Sequence, residues 1–449
     1  MAHLSLSGTT PRKSWPHAFV LARAIVIITG VLAFGASPAL AAVADWQKGA
    51  TVRSTWDGDF ASESFRQSLR NLKAANANFV TLHVPYEQND IWSTDIRKRW
   101  FAPTDDALRS AIDYAHSIGL QVALMPHLDP LDDKWRIYIN PDDRDSWFKN
   151  YEVTVLFPLA RIAQEKNVEL FSLGVELGGM TTSTSNASND WHWRETIRKM
   201  REIYSGPLTY SAQHNDPNEK AEITWWDAVD YIGISAYHPS NIWEDKPEVW
   251  RLAQEWKRWY DAEVQPLAER YGKQVVFMEI GFKSVPRAHQ LPAAYWYGGG
   301  YDGQEQANDY EAVFQALQDE STFHGIQWWD WKSNPDGGGE GNEDFTPQHK
   351  PAEEVMRRWF GTPGQVAAQP PTQEESVIPP APEEAAPQPS SEPPPVLPPQ
   401  EDPAPVVAPP SLRQLAQERL NALRLRHDRS RPTWLRLLEL RQRRLVQLR

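Results

Sequence analysis

Between residues 49 and 360 a short apolar, β-rich run is followed by a polar or Gly/Pro-containing turn and then an amphipathic stretch, and this pattern recurs eight times. The runs cover 50–56, 79–86, 121–128, 170–177, 208–213, 231–237, 274–280 and 326–331. Between them, 62–75 sets Phe65, Leu69 and Leu72 at helical spacing, and 105–118 does the same with Leu108, Ile112 and Ala115. The stretches 147–164 and 248–271 read as longer helices. Parallel strands cannot be joined by tight turns, so strand–helix alternation implies crossover helices and a parallel sheet. Eight such units predict an α/β fold, a (β/α)8 TIM barrel. An open doubly wound sheet is the alternative. It would place a Gly-rich phosphate cradle after the first strand, where this chain has Trp56-Asp57-Gly58-Asp59.

The ends of the chain differ from this body. Residues 1–41 carry a charge of +3, an apolar run at 24–34 and the small-x-small sequence Ala39-Leu40-Ala41. That is the layout of a signal peptide, and export to a periplasmic or extracellular location is expected. Residues 361–410 hold 17 Pro and no aromatic residue, so a disordered acidic linker is expected. Residues 411–449 carry +8 on an Arg/Leu-striped pattern, expected as a short basic helical tail. Such a tail suits an anionic membrane surface or acidic polysaccharide, or else a helix that pairs with itself. The domain between, 42–360, is expected to be a monomeric barrel with a formal charge of −17, which disfavours nucleic acid as a partner. With no cysteine in the chain, thiolate metal sites, iron–sulfur clusters and a cysteine nucleophile are excluded.

In a barrel of this kind chemistry sits at the C-terminal ends of the strands. Two carboxylates close a strand from within an apolar run: Glu176 on the fourth and Glu279 on the seventh. Two inward acids suit glycoside hydrolysis. One must stay neutral to protonate the leaving oxygen, and the other must be ionised to attack the oxocarbenium-like centre. Burial and mutual charge separate their proton affinities. Of the 21 Trp, 19 lie within 42–360, more than a core needs, so some are expected on a surface where sugar rings stack. The strand-end filter selects Trp56, His83, His127, Asn215, Tyr237, Trp329 and Trp331 as substrate-binding candidates. Tyr237 is placed to donate its hydroxyl to the nucleophile. Trp329 is the main stacking platform, with Trp331 two residues on expected to share its face.

At these residues the chain resembles the clan A glycoside hydrolases, and more narrowly glycoside hydrolase family 113, the β-mannanase-like barrels. The matching pieces include Met125-Pro126-His127, Gly174-Val175-Glu176-Leu177, Phe277-Met278-Glu279-Ile280-Gly281-Phe282 and Trp328-Trp329-Asp330-Trp331, in order along the barrel. The resemblance implies a retaining glycosidase acting on a β-linked polysaccharide or oligosaccharide, with mannan favoured. It carries the acid/base role to Glu176 and the nucleophile role to Glu279. One position departs from it: where clan A enzymes place an Asn before the acid/base, this chain has Val175. The contact to the sugar 2-hydroxyl is then expected from His127 or Asn215.

No cofactor and no metal are expected. His83, His127, His214, His238 and Glu176 include metal-ligating types, but no HxH or HExxH spacing joins them. Trp225, Trp226, Trp256 and Trp259 recur at helical spacings and read as packing. Transglycosylation, or non-catalytic carbohydrate binding in exopolysaccharide assembly, is the alternative function.

Overall fold

The computed structural model describes residues 46–214 and 218–361. The expectations for 1–41, 362–410 and 411–449, and for Asn215, fall outside these residues. Eight parallel strands are present: β1 (Gln47–Arg53), β2 (Phe79–Gln88), β3 (Gln121–Pro130), β4 (Leu170–Val175), β5 (Leu208–Gln213), β6 (Tyr231–Ser235), β7 (Gln274–Ile280) and β8 (Phe323–Lys332). Each pairs with its sequence neighbours, and β1 pairs with both β2 and β8, so the sheet closes into a (β/α)8 TIM barrel. A two-residue antiparallel strand, Arg97–Lys98, extends the edge of β2.

The outer helices start where the sequence supplies caps. Helix α1 (Glu63–Ala74) opens on Ser62, whose hydroxyl accepts from Phe65 N, and α2 (Asp105–Ser117) opens on Thr104 in the same way. The two long stretches are each interrupted. Helix α3 (Arg144–Tyr151) passes through a π turn, Glu152–Leu156, into α4 (Phe157–Lys166). Helix α8 (Val249–Trp259) passes through Tyr260–Val264 into α9 (Gln265–Tyr271). Pro158 and Pro266 lie just past these turns. Proline lacks an N–H and its ring crowds the carbonyl four residues back, and the wider turn relieves both. The remaining helices are α5 (Gly178–Thr181), α6 (Asn189–Ile203), α7 (Glu219–Glu222), α10 (Gly303–Leu317) and α11 (Pro351–Phe360).

Two apolar layers follow from strand alternation. Phe79, Ala123, Met125, Leu170, Val175, Val276 and Met278 fill one cluster inside the barrel, and Trp329 packs against it. The opposite strand faces join the helices in a much larger cluster that includes Val52, Leu82, Leu173, Leu177, Phe277 and Ile280. Burying each large apolar side chain is worth about 1.5–3 kcal/mol. These layers fix the barrel on which the strand ends are mounted.

Candidate active site

Strict alternation breaks at the strand ends that carry the acids. On β4, Val175 packs in the inner cluster and Leu177 in the outer one, with Glu176 between them. Glu176 adopts a left-handed backbone with φ of +51°. On β7, Met278 is inner and Ile280 outer, with Glu279 between them, and the pairing of β7 with β6 slips by one residue just there. In both places the strand passes from inner to outer face across the acid, with a register slip just before it: between Ser172 and Val175 on β4, and at Met278 on β7, where Glu279 still pairs with Ser235. Both carboxylates are buried, with residue exposures of 6% and 4%.

Their partners differ. Glu279 Oε2 accepts the Tyr237 hydroxyl at 3.2 Å. Its Oε1 lies 2.8 Å from His127 Nε2, without the alignment of a hydrogen bond, and both ring nitrogens of His127 lack a hydrogen-bond partner. The His127 ring stacks on Trp329 at 5.5 Å and lies 4.3 Å from the His83 ring. Arg53 sits 5.1 Å over Trp329 and is held there by Asp330 at 2.7 Å. Glu176 Oε2 accepts the Trp135 indole N–H at 2.9 Å and lies 3.4 Å from Arg136 Nη1. Arg136 is itself paired with Asp129 at 2.8 Å.

The electrostatics follow. Burial raises the proton affinity of both carboxyls. Arg136 opposes the rise at each. At Glu176 the charge of Glu279 adds to it and the Trp135 hydrogen bond subtracts from it; at Glu279 the Tyr237 hydrogen bond subtracts from it and the charge of Asp129 adds to it. Tyr237 is pushed well above its ordinary value, first by burial and then by Glu279, so it stays a donor. Burial holds His83 and His127 well below the usual imidazole range, so both are neutral. Burial works against the charge of Arg136, but Asp129, Glu176 and Glu279 together keep it protonated.

The other predicted residues divide. His83, His127, Tyr237 and Trp329 gather around Glu279. Trp56 lies on the turn after β1, 49% exposed, with its ring over Gly58, where any Cβ would collide with the indole. Trp331 does not share the face of Trp329. It is fully buried in the outer layer, with its indole N–H donating to Ser68 Oγ of α1 at 2.9 Å. The cause is a register slip: Thr51 pairs with Trp329 and Val52 with Trp331, so Asp330 is an extra residue and reverses the alternation. The peptide bond between Trp329 and Asp330 is cis. Trp225, Trp226, Trp256 and Trp259 are buried packing residues, as expected.

Trp135 and Arg136 were not selected by the strand-end rule. They lie in the loop after β3, and only the folded course of that loop brings them to Glu176. The same loop borders a cleft of about 410 Å³ that neither carboxylate lines, walled by Trp92, Tyr138, Asn140, Gly178, Ser185 and Glu222 among others. Trp92 and Tyr138 are 59% and 54% exposed, flat faces open to a ligand. Among the described residues, one group could offer three ligands to a metal: His289, Glu305 and Asp309, with ligand atoms within 4.8 Å of one another. There His289 Nδ1 and Glu305 are already hydrogen-bonded to each other.

The sequence model of Glycoside Hydrolase Family 113 matches residues 52–350. The structure is similar to that of the GH113 β-mannanase AaManA from Alicyclobacillus acidocaldarius in complex with ManMIm, with 27% identity, a TM-score of 0.62 and coverage of 70% of this chain and 97% of that one. It is also similar to a GH113 β-1,4-mannanase solved as a complex, with 27% identity, a TM-score of 0.61 and coverage of 70% and 99%. Among curated proteins no relative matches. The chain belongs to glycoside hydrolase family 113 and is a glycosidase.

Proposed function

We propose that this family 113 glycosidase cleaves β-linked, manno-configured polysaccharide or oligosaccharide with retention, using Glu279 as nucleophile and Glu176 as acid/base. The observation that carries the assignment is the Tyr237 hydroxyl bound to Glu279. Glu279 takes a hydrogen bond from a tyrosine that cannot readily ionise, which favours its charged form. Burial and the charge of Glu279 favour the protonated form of Glu176, while Arg136 and the Trp135 N–H draw it toward the ionised form that it must adopt in the second step.

The steps follow from this placement. Trp329 and the neutral His83 and His127 form one wall around the sugar at the cleavage point. Glu279 attacks its anomeric carbon while Glu176 gives its proton to the departing oxygen, leaving a glycosyl ester on Glu279. Glu176, now ionised, takes a proton from water as the water attacks the same carbon and frees Glu279. The leaving-group side of the chain is assigned to the cleft bounded by Trp92 and Tyr138, because that cleft adjoins the loop holding Glu176. Val175 turns into the apolar interior and offers the 2-hydroxyl nothing. His127, with both ring nitrogens unpartnered, is the group available to an axial 2-hydroxyl.

Product anomers followed by NMR on β-mannan oligosaccharides test the reading: the β-anomer first supports it, and the α-anomer first refutes it. In parallel, Glu176→Ala is expected to keep activity on aryl glycosides with good leaving groups and to gain from added azide, whereas Glu279→Gln is expected to lose all turnover. Export through residues 1–41 and attachment to an anionic surface through 411–449 are also proposed, on the charge and apolar patterns of those segments. Co-sedimentation with anionic vesicles at low and high salt, with and without residues 362–449, tests the attachment. Salt-independent or equal binding removes it.

A further inference from the structure

We propose that Glu219, acting through Tyr210, is a positioning residue that fixes the backbone of Glu176 and so aims its carboxyl at the leaving oxygen. The inference rests on the reading of Glu176 as acid/base. It starts from a conformational problem. A non-glycine residue at φ +51° is uncommon, and for a side chain of this length it must be imposed by its surroundings. The N–H groups on either side of the Glu176 α-carbon are both captured. Glu176 N donates to Ser211 O of β5 at 2.9 Å, continuing the ladder. Leu177 N leaves the ladder and donates to the Tyr210 hydroxyl at 2.5 Å.

A hydroxyl accepts reliably from one side only if its own proton is committed elsewhere. Tyr210 donates that proton to Glu219 Oε1 at 2.7 Å. Glu219 is itself fully engaged: Thr181 Oγ1 donates to the same oxygen at 2.5 Å, and Gln213 N donates to Oε2 at 2.9 Å. All three side chains, Glu219, Tyr210 and Thr181, are at most 1% exposed. The chain Glu219–Tyr210–Leu177 thus runs unbroken to the residue after the proposed acid.

The surroundings hold the relay in place. The Tyr210 ring is flanked by Trp193 and Trp225 at 5.8 and 5.5 Å. The Trp193 indole donates to Met180 O and the Trp225 indole to Thr181 O, both in the segment just after Glu176. Gly174 allows the close approach, since a Cβ there would stand 3.3 Å from the Tyr210 ring and 2.8 Å from the Tyr151 hydroxyl. These buried indoles account for part of the tryptophan excess: they clamp the strand end that carries the acid rather than touching sugar.

The test separates aiming from general damage. Tyr210→Phe removes the relay, and Glu219→Gln keeps its shape and one accepting oxygen for Tyr210 while replacing the acceptor of the Gln213 N–H by a donor. Both are compared with the parent on a series of aryl β-mannosides whose leaving groups span a wide acidity range. Misplacing a reacting group by about 1 Å can cost about 10²-fold. For phenols that leave poorly, kcat/KM is expected to fall roughly 10- to 100-fold in Tyr210→Phe and less in Glu219→Gln. For dinitrophenolate, which departs without a proton, it is expected to stay within about twofold. Equal losses across the series, or no loss anywhere, overturn the proposal. Glu176→Ala run on the same series keeps the two ideas distinct. If that variant lacks leaving-group dependence, the acid/base assignment itself has failed.

Discussion

Replacing Tyr237 by Phe removes one atom group from the Glu279 environment and leaves the ring in place. The hydroxyl donates to Glu279 Oε2 at 3.2 Å, longer than the 2.7–2.8 Å typical of such bonds. Hydrogen bonds to charged groups contribute about 1.5–3 kcal/mol, and the long distance argues for the lower end. At about 1.4 kcal/mol per factor of ten, kcat/KM should fall roughly tenfold. The same energy stabilises the ionised carboxylate relative to the acid, so its loss should move the acid limb of the kcat/KM–pH profile up by about one unit. The direction follows from the sign of the interaction: the hydrogen bond lowers the proton affinity of Glu279, so the variant needs a higher pH to ionise it. The assay is kcat/KM on a dinitrophenyl β-mannoside between about pH 4 and pH 9, with a leaving group that makes the rate blind to proton donation. An acid limb that stays put while the rate falls would show that Tyr237 positions substrate rather than tuning the carboxylate. An unchanged rate and limb would refute the nucleophile environment argued above.

Three further outcomes follow from the geometry. Glu279→Gln should stabilise the fold at neutral and alkaline pH: burial raises the folded-state pKa above that of the unfolded chain, so ionising Glu279 opposes folding as pH rises through that interval. Melting at pH 8 and pH 5 checks this; a higher Tm at pH 8, by about 2–4 °C for each kcal/mol, with a smaller gain at pH 5 is expected, and a variant less stable than the parent at pH 8 contradicts it. Arg136→Met should move both limbs of the pH profile on natural substrates upward, because Arg136 lowers the proton affinity of Glu176 and Glu279 alike; an unmoved profile rules out its electrostatic role. Trp329→Ala should raise KM and lower kcat with a modest change in Tm, whereas Trp331→Phe should leave kinetics unchanged and lower Tm through loss of the bond to Ser68; the reverse pattern would mean the two faces are misassigned.

The barrel was legible because its evidence is periodic. Every one of the eight apolar runs overlaps an observed strand, since side-chain alternation and strand-to-strand connection leave a signature at each repeat. Glu176 and Glu279 were visible for a related reason: an acid inside an apolar run has few structural explanations. What escaped was what breaks periodicity. One extra residue at Asp330 turned Trp331 outward, and nothing in the Trp-Trp-Asp-Trp string announces a bulge. Two prolines opened π turns where unbroken helices were expected. Trp135 and Arg136 reach Glu176 through the path of a loop, and loop paths depend on long-range contacts that leave no local pattern.

The two acids are mounted on different kinds of structure. Glu279 is served by Tyr237, His127 and Trp329, all at the ends of strands in the barrel wall. Glu176 is served by Trp135 and Arg136, which belong to a connecting loop. Loops accept insertion and exchange far more readily than the wall beneath them. A descendant of this sequence could therefore trade one stretch of surface chain and inherit a new appetite for leaving groups and, because Arg136 bears on both carboxyls, a new working acidity for Glu279 as well. Selection thus has a handle on both protonation states through one exchangeable segment, and related barrels should diverge fastest where that handle lies.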